Sequence, residues 1–128
     1  MRPTQELYCE SGEIVFKDGN RKIGDFPWNE HPAFAGVSLK HLLTGNDTDG
    51  NFSCHLVRVA AGCKIGNHIH QGKWELHEVL CGQGICQMGS VRIPYQPGVV
   101  AAIPADVLHE VQADEEIYLL AKFVPALL

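Results

Sequence analysis

The sequence predicts an all-β protein built as a single domain. Thirteen glycines and seven prolines are spread through 128 residues, too frequently for long helices. Between them lie short runs rich in Val, Ile, Leu, Tyr and Phe, which favour strands. About ten such runs at this spacing indicate a sandwich or barrel of short strands. The length fits one compact domain, and no linker, repeat or low-complexity segment divides it.

The first predicted element is a hairpin over about residues 13–24. Its turn is predicted at Asp18-Gly19-Asn20, because Asp-Gly supplies the positive φ angles that a tight hairpin turn requires. The core barrel is predicted to begin at about residue 36 and end at about residue 124, with a polar loop over 44–51. Most of its separators contain Gly, Pro or Asp, which form turns. The strands of this barrel are predicted at 36–43, 52–60, 66–70, 74–81, 85–88, 91–95, 99–103, 108–113 and 117–123.

Composition and charge exclude several classes of function. The net charge is −5 and the basic residues are scattered, which opposes nucleic-acid binding through a basic face. No apolar run approaches the roughly 20 residues of a membrane helix, and the first residues lack the apolar core of a secretion signal. The cysteines are five in number and form no C-x-x-C pair, so free thiols in a reducing compartment are expected. We therefore expect a cytoplasmic protein without a membrane or nucleic-acid partner.

A group of histidines carries the strongest chemical signal. His68 and His70 share one face if they lie in a strand, with Cα atoms about 6.6 Å apart. Glu75 follows across a glycine turn, and His109 opens a later strand that a barrel can bring beside the first. A lone histidine is usually a surface or core residue, but an alternating pair with a placed carboxylate suits a divalent first-row metal. Such a site leaves coordination positions open for a ligand.

The same segment resembles the first motif of the cupin superfamily of small double-stranded β-helix barrels, G-x5-H-x-H-x4-E-x6-G. Gly62, His68, His70, Glu75 and Gly82 match every defined position of that motif.

The second cupin motif, G-x5-P-x-G-x2-H-x3-N, is matched at Gly98, Pro104 and His109. Asp106 stands where this motif has Gly, and Ala113 stands where it has Asn. Asp tolerates turn conformations better than most residues, so the first departure is compatible with the fold.

The resemblance implies a fold and a ligand set. The fold is a cupin double-stranded β-helix, a jelly-roll barrel, with residues 1–128 forming one domain. By resemblance, His68, His70, Glu75 and His109 bind one divalent transition metal, which could be Fe, Mn, Ni or Zn.

Strand parity places further residues near this site. If Glu75 points into the barrel, so does His77, which could orient Glu75 or act as a catalytic acid or base. The alternative for His77 is a core histidine with a backbone partner. Only one of Cys54 and His55 can face the interior, and parity does not say which. His31, like His41, lies outside the motifs and is expected to be incidental.

Two apolar segments predict a homodimer. The resemblance to small cupins, which commonly pair, implies the same. Residues 99–103 are apolar on both faces of the predicted strand, and residues 123–128 end the chain on an apolar run that is expected to dock on a partner.

Two functions remain open. The first is a metal-dependent enzyme of the dioxygenase, isomerase or lyase type, acting on a small polar or carbonyl compound. The alternative is a non-enzymatic module that binds a small molecule or senses a metal or oxidant.

Overall fold

The strands form two facing sheets and a separate hairpin in the computed structural model, which describes residues 3–128. The larger sheet has six strands in the order β10-β7-β12-β5-β4-β3, and the smaller has four in the order β6-β11-β8-β9. The hairpin pairs β1 with β2. The strands are β1 (Glu13–Phe16), β2 (Gly19–Lys22), β3 (Asn29–Glu30), β4 (Val37–Leu43), β5 (Ser53–Val59), β6 (Lys64–His68), β7 (Trp74–Cys81), β8 (Gly84–Met88), β9 (Val91–Tyr95), β10 (Val100–Ile103), β11 (His109–Ala113) and β12 (Ile117–Val124).

The predicted all-β jelly-roll fold is confirmed, and most strand limits agree within one or two residues. The largest shift concerns β6, predicted at 66–70 but observed at Lys64–His68. The strand ends early because the carbonyl of His70 accepts turn hydrogen bonds from Lys73 N and Asp106 N instead of a ladder bond. In the hairpin, Phe16 pairs with Gly19, so the turn falls one residue earlier than predicted.

Short helical segments were not predicted from the sequence. Helix α1 (Pro3–Glu6) continues into a π-helical turn, Leu7–Ser11, and a 3-10 turn spans Ile23–Asp25. Helix α2 (Gly45–Thr48) replaces the predicted polar loop, because the backbone N–H of Thr44 donates to the Asp47 carboxylate at 2.9 Å. None of the helices within residues 3–128 has the length and apolar character needed to cross a membrane.

Two apolar layers hold the fold together. The inner layer lies between the sheets and includes the fully buried Val37, Val111 and Leu119. The outer layer lies between the six-stranded sheet and the N-terminal segment, and it includes Cys54 and Leu56. Adjacent residues of a strand point to opposite faces, so on β5 His55 points to the interior of the barrel while Cys54 points outward. This answers which of the two faces the interior, a choice that the sequence left open.

The turn before β11 explains one departure from the cupin motif. Asp106 has a φ of 67°, the left-handed region in which Gly is otherwise preferred. Its carboxylate accepts a hydrogen bond from the backbone N–H of Gly72 at 3.0 Å. Asp106 thus joins the turn before β11 to the turn between β6 and β7, two turns that flank the histidine cluster.

Candidate metal centre

Four polar side chains converge where the two sheets meet. His68 ends β6, and His109 begins β11 directly opposite it in the antiparallel ladder. His70 follows in the turn after β6, and Glu75 is the second residue of β7 in the other sheet. Each polar residue comes from a strand end or turn. The strand pairing of both sheets therefore sets their relative positions.

The distances among the four side chains fit a single ion. Their ligand atoms all lie within 4.8 Å of one another. Nε2 of His68 and Nε2 of His70 are 3.1 Å apart, and Oε1 of Glu75 lies 3.0 Å from Nε2 of His109. Two ligands at about 2.1 Å from a metal and at right angles to each other are about 3.0 Å apart. The donor atoms could therefore hold one divalent metal ion.

Backbone hydrogen bonds orient two of these imidazoles. Nδ1 of His68 donates to the carbonyl of Gly66 at 2.7 Å, and Nδ1 of His109 donates to the carbonyl of Val107 at 2.9 Å. A carbonyl only accepts, so Nδ1 carries the proton in both rings. Nε2 of each ring is then directed at the cluster, as in histidines that ligate metals.

Burial and charge set the protonation of the cluster. Burial lowers the pKa of His68 and lowers the pKa of His70 to about 4, so both are neutral near pH 7. Burial by itself raises the pKa of Glu75, but the electrostatic interaction with His77 and the hydrogen bonds from His109 and His77 outweigh it and keep the carboxylate ionised. Burial likewise lowers the pKa of His109, and its hydrogen bonds to Glu75 and Val107 reverse that shift. Neutral His68 and His70 beside an ionised carboxylate are a suitable donor set for a divalent metal, which would take the place of the Nε2 proton that His109 shares with Glu75.

His77 lies beneath the cluster and is 2% exposed. Its Nε2 lies 2.8 Å from Oε2 of Glu75, and its Nδ1 lies 2.8 Å from the hydroxyl of Tyr95. Because the carboxylate only accepts, Nε2 of His77 donates, and Nδ1 accepts from the tyrosine hydroxyl. Burial raises the pKa of Tyr95, which keeps that hydroxyl protonated. The chain Tyr95–His77–Glu75 thus holds one oxygen of the carboxylate in place.

A cavity of about 70 Å³ adjoins the cluster inside the barrel. Sequence reasoning missed two of its walls. His31, expected to be incidental, lines it from the segment before β4, and Leu127 lines it from the C-terminal tail. Neither residue belongs to a motif, and only the tertiary fold brings them to the site. The remaining walls are mostly apolar: Val37, Leu39, Val57, Ile65, Ala121 and Phe123.

The predicted site residues are thus all in one region, while His55 is outside the cavity lining. Nδ1 of His55 lies 2.8 Å from Nδ1 of His41, and its Nε2 lies 2.9 Å from Oγ of Ser53. Oγ of Ser53 also accepts the backbone N–H of Leu127 at 2.9 Å. The C-terminal tail was expected to dock on a partner. It packs instead on its own barrel, where Leu127 forms part of the cavity wall.

Comparisons with known proteins identify the family. No curated protein is significantly similar to the chain in sequence. A predicted oxalate decarboxylase from Thermotoga maritima superposes with a TM-score of 0.73 at 18% identity, covering 80% of this chain and 95% of its own. An RmlC-like cupin from Shewanella frigidimarina gives 0.71 at 15%, covering 93% and 96%. Ectoine synthase from P. lautus gives 0.66 at 22%, covering 72% and 66%.

At these identities the structural similarity shows the fold alone. The sequence itself matches the Cupin domain family over residues 55–121, a segment that contains all four clustered side chains. That segment is more than half of the chain. The chain belongs to the cupin family.

Proposed function

We propose that the protein is a metal-dependent enzyme of the dioxygenase, isomerase or lyase type that acts on a small polar or carbonyl compound. The proposed ligands of one Fe, Mn, Ni or Zn ion are His68, His70, Glu75 and His109. The observation that carries the proposal is the convergence of their ligand atoms within 4.8 Å beside a cavity. Four protein ligands leave positions open on a metal that prefers six.

The cavity supports a small substrate shielded from water. A bound divalent ion would supply Lewis acidity that polarises a carbonyl or enol oxygen. The apolar walls exclude water around that oxygen, and His77 holds Glu75 in position. His31 accepts the backbone N–H groups of Ala33 and Phe34 at its Nδ1, so its Nε2–H is left as a donor toward a substrate. Two structural neighbours have enzyme names, a predicted oxalate decarboxylase and an ectoine synthase, which supports an enzymatic function.

Metal analysis of anaerobically purified protein tests the ligand set. His68→Ala and His70→Ala should each remove most of the bound metal, because water replaces an imidazole poorly. His41→Ala is the matched control, since His41 is a partly buried histidine outside the cluster, and it should retain the metal. Full metal occupancy in the His68→Ala/His70→Ala double variant would place the metal elsewhere.

The reaction is tested by adding substrates to the metal-loaded protein. Oxygen uptake and product formation are followed with panels of diketones, sugars and amino-acid derivatives. A dioxygenase consumes oxygen, whereas an isomerase or lyase forms product without it. Turnover that remains in His68→Ala protein would contradict a metal-dependent reaction.

The second candidate is a non-enzymatic binding or sensing module. Both ring nitrogens of His77 are hydrogen-bonded, one to Glu75 and the other to Tyr95. Neither nitrogen is therefore available as an acid or base toward a substrate, which favours this second function. Apart from the clustered residues and His77, the cavity wall offers only His31 as a polar side chain within residues 3–128. Ligands that raise the melting temperature without forming product would support this function over an enzyme.

We also propose a cytoplasmic location. The five cysteines are thiols rather than disulfides, and four of them are buried, a state that a reducing compartment preserves. Fractionation with antibodies against the protein tests the location, and recovery in an oxidising compartment would contradict it.

A further inference from the structure

A second pocket, of about 530 Å³, lies on the outer face of the six-stranded sheet beneath the N-terminal segment. Lys40 lines this pocket, whereas its neighbour Leu39 lines the cavity beside the histidine cluster. Adjacent residues of a strand point to opposite faces, so the sheet separates the two spaces. The pocket is within the size range of small-molecule sites, which begins at about 300 Å³.

Two cations, Lys40 and Arg58, face this outer pocket. Lys40 is 4% exposed, and its ammonium donates to the carbonyls of Cys9 at 3.1 Å and Ile23 at 3.0 Å. Among residues 3–128, the third N–H of that ammonium has no hydrogen-bond acceptor. Arg58 donates to Oγ of Ser38 at 3.4 Å. Within residues 3–128, no carboxylate lies within 4.0 Å of either cation. Charges withdrawn from water in this way favour an anion that compensates them.

Aromatic rings form the wall beside the cations. The Trp28 ring centroid lies 4.2 Å from the guanidinium carbon of Arg58 and 5.1 Å from Nζ of Lys40. Tyr118 meets Trp28 edge-on, with ring centroids 6.2 Å apart, and Phe26 also lines the pocket. A cation–π contact attracts each cation to the ring but leaves its net charge unchanged. The wall thus combines positive charge with flat apolar surface.

We propose that this outer pocket binds a small aromatic carboxylate. The carboxylate would meet Arg58 and the free N–H of Lys40, and the ring would lie against Trp28 and its aromatic neighbours. Glu10 is the only acidic residue among those lining the pocket within residues 3–128, so the lining has one net positive charge. That balance suits a monoanion better than a phosphate dianion. Binding at this pocket does not require a metal at the histidine cluster.

Tryptophan fluorescence offers a local readout of binding. The chain has two tryptophans, and Trp74 is exposed, so Trp74→Phe leaves Trp28 as the sole indole. In that background benzoate should change the fluorescence saturably. The neutral isostere benzamide should bind about tenfold more weakly, because it has no negative charge to pair with the two cations. Equal affinity for benzoate and benzamide would overturn the proposal, as would tighter binding of inorganic phosphate than of benzoate.

Charge variants then identify the cations. Arg58→Gln should weaken benzoate binding about tenfold, and Arg58→Lys should restore part of it, because it returns the charge but not the planar guanidinium that lies over Trp28. Glu10→Gln should strengthen binding, since it removes the acidic group from the rim. An unchanged affinity in Arg58→Gln overturns the proposal; if that variant does not fold, an unchanged affinity in Glu10→Gln does so. His70→Ala should leave the titration unchanged, and loss of binding there would assign benzoate to the histidine cluster instead.

Discussion

The two oxygens of Glu75 have different partners. Oε2 lies 2.8 Å from Nε2 of His77, whereas Oε1 lies 3.0 Å from Nε2 of His109 and 3.6 Å from Nε2 of His70. His77 therefore fixes one oxygen below the cluster and directs the other into it. An acidic ligand held in this way loses little side-chain freedom when it binds an ion.

We expect His77→Gln to weaken metal binding about tenfold without abolishing it, because groups that orient a ligand typically contribute at least that factor. Competition with a chromogenic chelator measures the affinity. Tyr95→Phe should act in the same direction, since the tyrosine hydroxyl donates to Nδ1 of His77. Metal loss as complete as in His68→Ala would make His77 a ligand, and an unchanged affinity would leave it an ordinary core histidine.

His55 lies outside the cluster and gives the protein a further component of acid sensitivity. It is fully buried, and burial, with the nearby His41 in addition, lowers its pKa to about 4. Unfolded, a histidine titrates at about 6.5. Above that pH both states are neutral and the full stability is present. As pH falls from 6.5 to 4, the unfolded chain binds the proton first, so stability is lost.

This difference amounts to about 3 kcal/mol for His55 between pH 6.5 and 4. His55→Gln, which retains hydrogen-bonding groups, should therefore show a shallower fall in the free energy of unfolding over that interval. Urea denaturation at several pH values measures both slopes. Identical slopes would show that His55 is not buried as a neutral ring.

The C-terminal tail, residues 125–128, acts as an element although it is not a strand. The backbone N–H of Ala126 donates to Gly50 O at 3.1 Å, and that of Leu127 donates to Ser53 Oγ at 2.9 Å. The backbone N–H of Gly45 donates to the carbonyl of Leu128. These bonds place the Leu127 side chain against the cavity, while Leu128 is 56% exposed.

Leu127→Ala should open the cavity and accelerate metal release to excess EDTA, because it removes an apolar wall while leaving the ligands intact. Stopped-flow measurement of metal transfer compares it with Leu128→Ala, the matched control whose side chain lies in solvent. Equal release rates in the two variants would mean that the tail does not limit access.

The strands were predictable because their limits depend on local signals. Gly and Pro mark the turns, and alternation marks the faces, so most of β4 to β12 is placed from sequence alone. The four clustered residues follow from motif spacing, since ladder pairing brings His109 opposite His68. His31 and Leu127 were not predictable as cavity walls, because their positions depend on packing between segments far apart in the chain. The helix at Gly45–Thr48 was missed because a single side-chain cap decides it.

Over the whole molecule, the outer face of the six-stranded sheet divides into a covered and an open part. The N-terminal segment covers Cys54 and Leu56. The open part, at the edge formed by β10 and β7, exposes Val100 by 61% and Trp74 by 54%, with Val124 at 58%. Phe52, Leu76 and Ala102 continue this apolar surface. Alternation along β10 explains why residues 99–103 are apolar on both faces of the strand. Ala101 and Ile103 are buried in the barrel, whereas Val100 and Ala102 belong to the exposed apolar surface.

This open face is where we predict the homodimer to form, because contiguous exposed apolar residues on a sheet are typical of interaction surfaces. The C-terminal tail packs on its own chain, so the dimer contact is predicted at β10 and β7 alone. Trp74→Glu and Val100→Glu should each convert the dimer to the 14.1 kDa monomer, because either change places a carboxylate in an apolar contact.

Val91→Glu is the matched control: the Val91 side chain is as exposed as that of Trp74, at 54%, but lies on the four-stranded sheet. Sedimentation velocity at micromolar concentration measures the mass of each protein. A monomeric wild type would contradict the dimer, and dissociation by Val91→Glu alone would move the interface to the opposite sheet.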